Sequence, residues 1–118
     1  MLNVLFLFKI RIMKQLIFIL FISVLFSCSK SANKEVEFYV RGNCDMCKER
    51  IETTVKAVPG IATANWEVKT SNLKVTFDST KTNELDLHKA IAATGHGTKL
   101  VEMNAKAHDE LPDCCKIE

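Results

Sequence analysis

The chain is organised around the segment Arg41-Gly42-Asn43-Cys44-Asp45-Met46-Cys47-Lys48-Glu49-Arg50-Ile51-Glu52, which sets two cysteines three positions apart. Upstream of it, residues 35–40 alternate polar and apolar side chains, which is typical of a half-buried strand. Downstream, apolar residues recur at helical spacing as far as Pro59-Gly60, which ends the helix. The cysteine pair is therefore predicted at a strand-to-helix junction.

A thiol at the start of a helix is in a chemically active position. The free N–H groups and the positive end of the helix dipole favour thiolate over thiol, and the thiolate is the form that binds soft metals or attacks disulfides. The Cys-x-x-Cys pair of Cys44 and Cys47 therefore has two functional interpretations, metal binding and thiol–disulfide exchange, beside the simpler one of a structural disulfide.

The rest of the central region predicts a small α+β fold. The predicted elements are strand 35–41, helix 45–57, strand 61–69, strand 73–78, helix 84–94 and a weaker strand 98–103. The two middle strands flank the polar turn Thr70-Ser71-Asn72, as in a hairpin. This order predicts a ferredoxin-like βαββαβ sandwich, with a four-stranded antiparallel sheet and both helices on one face.

Residues 1–27 are predicted to be a signal peptide. Lys9, Arg11 and Lys14 precede the apolar run 16–26, the arrangement of a secretory signal. The run is shorter than the ~20 residues that a membrane-spanning helix needs. A retained membrane helix is the less favoured alternative.

The apolar run ends in Leu25-Phe26-Ser27-Cys28, which resembles the bacterial lipobox. The resemblance implies cleavage before Cys28 and lipid attachment to that cysteine, with an ordinary signal peptide as the alternative. Met13-Lys14-Gln15 resembles a more usual start for such a signal than Met1, so the start codon stays open. A lipid anchor implies a membrane of the bacterial cell envelope, inner or outer, and a periplasm-facing protein is favoured over one on the cell surface.

These assignments divide the chain into a signal peptide (1–27), a polar tether (28–34), a domain (35–103) and a C-terminal tail (104–118) that contains two cysteines. The formal charge of +2 falls slightly below zero once the signal, which has three basic and no acidic residues, is removed. Without a basic stripe interleaved with aromatic residues, nucleic acid is not an expected partner.

Residues 35–103 resemble the heavy-metal-associated (HMA) domain family of copper chaperones, metal-transporting P-type ATPases and the periplasmic mercury-binding protein. The resemblance is carried by Gly42-Asn43-Cys44-Asp45-Met46-Cys47, by Pro59-Gly60-Ile61, by Val75-Thr76-Phe77-Asp78 and by Ile91-Ala92-Ala93-Thr94-Gly95. It implies the ferredoxin-like fold and a metal site formed by the thiolates of Cys44 and Cys47. The family motif has methionine after its glycine, whereas Asn43 follows Gly42 here, which bears on loop packing rather than on the ligands.

Two soft thiolates select Cu(I), with Zn, Hg or Cd as alternatives. The expected function is metal buffering, or transfer to an efflux pump or transporter, and not catalysis. The rival from another class is a thiol–disulfide oxidoreductase, but the thioredoxin pattern needs a longer chain and a proline facing the thiols. Neither Pro59 nor Pro112 falls at a strand start.

Three further residues are candidate accessory ligands: His96, Cys114 and Cys115. His96 follows the second helix, in a loop that is expected to lie beside the cysteine loop, the segment from Gly42 to Cys47. There His96 is either a ligand or an ordinary polar residue that ends the helix. Adjacent cysteines rarely bridge each other comfortably. Cys114 and Cys115 therefore bind metal, form disulfides with other thiols, or have no specific role, and the sequence leaves these three options open.

Overall fold

The computed structural model describes residues 1–23 and 32–116. The predicted lipid attachment at Cys28 lies outside the described residues. The chain divides into two compact units, residues 1–30 and residues 31–118, which are described separately.

The described part of the first unit is one helix, α1 (Leu2–Ser23). It contains the predicted basic region and most of the predicted apolar run of the signal. Within residues 1–23 and 32–116, no helix combines the length and the hydropathy that crossing a membrane requires.

The second unit contains five of the six predicted elements, in the predicted order. They are β1 (Asn33–Tyr39), α2 (Asp45–Lys56), β2 (Ile61–Glu67), β3 (Asn72–Asp78) and α3 (Glu84–Ala93). The strands form an antiparallel sheet in the order β1-β3-β2, with β3 in the centre.

The core lies on one face of this sheet. Alternate residues of β3, namely Leu73, Val75 and Phe77, are buried, and Trp66 of β2 is fully buried beside them. Helices α2 and α3 cover this face with side chains that join the same apolar cluster: Cys47, Ile51, Val55, Leu87 and Ile91. The predicted α+β packing, with both helices on one face, therefore agrees with the structure.

The predicted fourth strand, residues 98–103, is wrong. Thr98 makes an isolated bridge to Val40, and the chain then turns instead of continuing along β1. Two short hydrogen bonds close the turn: the Thr98 N–H donates to the Val101 oxygen (3.0 Å), and the Val101 N–H donates to the Thr98 hydroxyl (3.1 Å). A threonine hydroxyl that satisfies nearby backbone groups competes with strand pairing. The sheet of the described residues therefore has three strands.

The C-terminal tail is folded and packs against the rest of the second unit. It forms a short helix, α4 (Ala105–Asp109), and a 3₁₀ turn (Asp113–Cys115), in a stretch where the sequence shows no periodicity. Leu111 and Cys115, exposed by only 4% and 1%, belong to the main core cluster. The tail therefore contributes side chains to the domain core.

Glycine at position 95 permits this packing. Gly95 has a φ of +94°, and a Cβ there would lie 2.7 Å from the His108 nitrogen. The Asn104 N–H donates to the Ala92 oxygen (2.9 Å), which fixes the start of α4 against the end of α3. A side chain at position 95 would push the tail away from α3.

Every buried side chain among the described residues lies between Val40 and Cys115. Residues 31–118 therefore contain a complete hydrophobic core of their own, the property that allows a domain to fold independently. This segment also lacks Cys28, so it suits experiments on the remaining four thiols.

Candidate metal centre

Cys44 and Cys47 lie where the sequence places them, at the start of α2. Cys44 is the N-cap residue, with extended backbone (φ −142°, ψ 169°), and Cys47 is in the first helical turn. Their Sγ atoms are 3.2 Å apart. Cys44 is partly accessible whereas Cys47 is fully buried, so one sulfur of the pair faces incoming ligands.

The buried ring of Trp66 packs against the cysteine loop at Gly42. Its indole N–H donates to the Val40 oxygen (3.1 Å), and a Cβ at Gly42 would lie 2.9 Å from its ring. The loop can approach the ring this closely only because residue 42 is glycine. The Ser71 hydroxyl donates to the Gly42 oxygen (3.2 Å), which holds the other side of the loop.

The two tail cysteines lie beside this pair. The Sγ atoms of Cys114 and Cys115 are 3.4 Å and 3.5 Å from the Cys44 sulfur, and 3.8 Å from each other. The ligand atoms of Cys44, Cys47 and Cys115 all lie within 4.8 Å of one another, and Cys114 is not part of that set. All four cysteines are free thiols in the structure.

His96 is not part of the three-sulfur set either. It is buried, and its Nδ1 contacts the Arg41 oxygen at 2.9 Å, so it fixes the chain just before the cysteine loop. Its Nε2 is buried and has no hydrogen-bond partner in the described part of the chain. The structure thus brings both tail cysteines to the candidate site. The third predicted accessory ligand, His96, contacts the Arg41 oxygen instead.

Met46, between the two cysteines, is 52% exposed, and its sulfur lies 3.5 Å from the Cys114 sulfur. The outer side of the site therefore presents a thioether and an accessible thiol together.

The family model of the heavy-metal-associated domain matches residues 37–97, just over half of the chain. The chain belongs to this family. The copper chaperone CopZ of Staphylococcus saprophyticus subsp. saprophyticus is 33% identical over 57 residues, a match that covers 48% of this chain and 84% of that protein. A zinc-transporting ATPase of Synechocystis is 35% identical over 54 residues, which are 46% of this chain but only 8% of the ATPase.

The chain is also similar to a solved structure. The crystal structure of oxidized MerP from Ralstonia metallidurans CH34 is 29% identical, with a TM-score of 0.55 over 58% of this chain and 96% of MerP. The family match ends at residue 97, so the tail of this heavy-metal-associated protein lies beyond the matched region.

The thiols of the site differ in acidity. Partial burial alone would raise the pKa of Cys44, but the Cys47 backbone N–H and the surrounding thiols lower it, to about 7. The hydrogen bond with Cys44 raises the pKa of Cys114, and burial raises that of Cys115. Cys44 therefore becomes a thiolate at a lower pH than either tail cysteine. Burial also lowers the pKa of His96, so its imidazole is neutral near pH 7.

This difference predicts unequal alkylation of two accessible thiols. In metal-free, reduced residues 31–118, we expect iodoacetamide to modify Cys44 faster than Cys114 at pH 7, because only thiolates react and a lowered pKa leaves more thiolate. The Cys44 rate should rise with a midpoint near pH 7 and level off above it, as peptide mass spectrometry can measure. In urea the two rates should become similar. A midpoint near pH 9 for Cys44 in the folded domain would contradict the prediction.

Proposed function

We propose that this protein binds a soft metal ion, Cu(I), through the thiolates of Cys44 and Cys47. The observation that carries the proposal is the pair of sulfurs 3.2 Å apart at the start of α2, where the pKa of Cys44 is lowered to about 7. Because the lowered pKa leaves Cys44 partly deprotonated near neutral pH, that sulfur releases less than one proton on average when a metal binds.

Cu(I) is favoured over the other soft ions by ligand chemistry and by similarity. Thiolates select Cu(I), zinc and iron–sulfur clusters, and structural zinc sites require four closed ligands. Cys44 and Cys47 alone offer two. A relative that is a copper chaperone supports Cu(I), whereas a relative that is a zinc transporter keeps Zn(II) as the alternative.

The proposed role is to buffer the metal or pass it to a soft-metal efflux pump or transporter. The accessible side of Cys44 and the exposed Met46 lie on the surface where a partner thiol would approach. A lipid anchor at Cys28, which the sequence pattern suggests, would hold the domain at a membrane of the cell envelope, facing the periplasm. No catalytic activity is proposed.

Uptake needs no redox step. Cu(I) leaves its donor ligands and forms bonds to the Cys44 and Cys47 sulfurs, any proton on these thiols passes to solvent, and copper stays in the +1 state. Because Cys44 is the more exposed sulfur, it makes the first bond, and the buried Cys47 makes the second.

An anaerobic titration of reduced residues 31–118 with Cu(I), against the chelator bicinchoninate, tests the proposal. We expect one Cu(I) per chain, with ultraviolet absorption from thiolate-to-Cu(I) charge transfer. Parallel titrations with Zn(II), Hg(II) and Cd(II) rank the alternatives. Failure to compete for Cu(I) would overturn the copper assignment, and turnover in an insulin-reduction assay would favour the oxidoreductase alternative.

A further inference from the structure

We propose that Cys115 is a third ligand of the site, so that the docked tail completes a three-sulfur Cu(I) centre while Cys114 remains outside it. The inference rests on the proposed function and adds to it a coordination number, a role for the tail and a step in metal release.

The sulfur positions fit three-coordination. Three sulfurs that each lie about 2.3 Å from one ion, the usual metal–thiolate distance, are about 4 Å apart when the arrangement is trigonal. Cys44, Cys47 and Cys115 have sulfurs within 4.8 Å of one another, at 3.2 Å and 3.5 Å for the two pairs that include Cys44. A small outward movement of these side chains would admit the ion.

The same distances argue against a four-sulfur site. A tetrahedral centre requires every sulfur to lie close to the other three. Cys114 contacts Cys44 and Cys115, but its sulfur falls outside the mutually close set and contacts the exposed Met46 instead.

Cys115 is held in place before any metal arrives. The Cys115 N–H donates to the Pro112 oxygen (2.8 Å), which closes the 3₁₀ turn. Leu111 anchors the preceding residues in the core, and the close contact between Gly95 and His108 fixes α4. A ligand that is already positioned avoids the entropic cost of ordering the tail on binding.

A buried cysteine can also serve simply as a small apolar core residue. Such a residue would direct its sulfur toward carbon atoms. The Cys115 sulfur is instead within hydrogen-bond distance of two other thiols, Cys44 and Cys114, and close to Cys47. The position therefore fits a ligand better than a space-filling residue.

The third sulfur changes both retention and release. When Cys115 binds, its S–H proton passes to solvent and a Cu–S bond forms, without a change in the copper oxidation state. The tail then occupies the coordination position that an incoming partner thiol needs. Transfer therefore begins when a partner thiolate replaces Cys115, whose sulfur regains a proton as its bond to copper breaks.

The test compares Cys115→Ser with the matched control Cys114→Ser, both in residues 31–118. For Cys115→Ser we expect Cu(I) affinity at least tenfold below wild type in the bicinchoninate competition, whereas Cys114→Ser should stay within about twofold. X-ray absorption at the copper edge should count three sulfurs in wild type and in Cys114→Ser, and two in Cys115→Ser.

Cys115→Ala separates ligand loss from misfolding, because alanine keeps the position apolar whereas serine buries a hydroxyl. Both variants should lose the same sulfur, and circular dichroism of the metal-free proteins checks the fold.

Two sulfurs in wild type with unchanged affinity in Cys115→Ser and Cys115→Ala would overturn the inference and leave the Cys44/Cys47 proposal intact. Equal losses in Cys114→Ser and Cys115→Ser would also overturn it, in favour of a four-sulfur site. Absence of Cu(I) binding in wild type would instead reject the proposed function itself.

Discussion

Replacement of both Cys44 and Cys47 by serine should lower the affinity for Cu(I) at least about a thousandfold. Loss of a single outer-shell partner of a metal ligand typically costs 10–100-fold in affinity, and this variant loses two direct ligands. Serine hydroxyls are hard and protonated near neutral pH, so they do not replace soft thiolates. The measurement is the anaerobic bicinchoninate competition on residues 31–118.

The matched control is Cys114→Ser, which also removes a thiol close to Cys44 but leaves the three mutually close sulfurs in place. Because Cys47 is fully buried, circular dichroism should confirm that the double variant keeps its helices and strands. A double variant that is folded and still binds Cu(I) within tenfold of wild type would refute the assigned site and direct attention to the tail cysteines.

Replacement of Trp66 by alanine should lower the free energy of unfolding by about 3–5 kcal/mol, the usual cost of removing a large buried aromatic side chain. This is a large part of the 5–15 kcal/mol available to a typical domain. Trp66 is fully buried, packs under Gly42 and donates to the Val40 oxygen, so both the core and the cysteine loop lose their support. Urea unfolding of the metal-free, reduced domain, followed by far-ultraviolet circular dichroism, measures the change.

The conservative control is Trp66→Phe, which keeps an aromatic ring but removes the donor to Val40. It should cost less, about 1–3 kcal/mol, because the buried carbonyl loses its partner. Saturating Cu(I) should recover part of the lost stability in both variants, since a ligand that binds the folded state stabilises it. A loss below 1 kcal/mol for Trp66→Ala would show that the loop and core repack without the indole.

The sequence predicted the first five elements of the domain because each has a clear period and a clear end. Pro59-Gly60 ends α2, and Thr70-Ser71-Asn72 marks the turn between β2 and β3. The fourth strand failed because its alternation is short, and because the Thr98 hydroxyl satisfies the backbone locally in a way that periodicity does not reveal.

The cysteine pair of the candidate site could be found from sequence, since Cys44 and Cys47 are local to one helix start. The sequence offered metal binding by Cys115 only as one of three open options, because its approach depends on the path of the tail past Gly95, just after α3, and on the apolar anchor Leu111. Isolated apolar residues carry no periodic signal. The only sequence signal was the presence of two further cysteines shortly after Leu111.

The early turn at Thr98 also affects how neighbouring copies of the protein can meet. Among the described residues, β1 pairs with β3 on one side only, so its other side is an exposed edge along Asn33–Tyr39. Such edges can recruit strands from other molecules into aggregates, and charged side chains oppose this recruitment. Here Lys34, Glu35 and Glu37 line the strand and are exposed. These charged side chains oppose the addition of a strand from a second copy to the β1 edge, so the incomplete sheet does not leave a bare apolar edge exposed to neighbouring molecules.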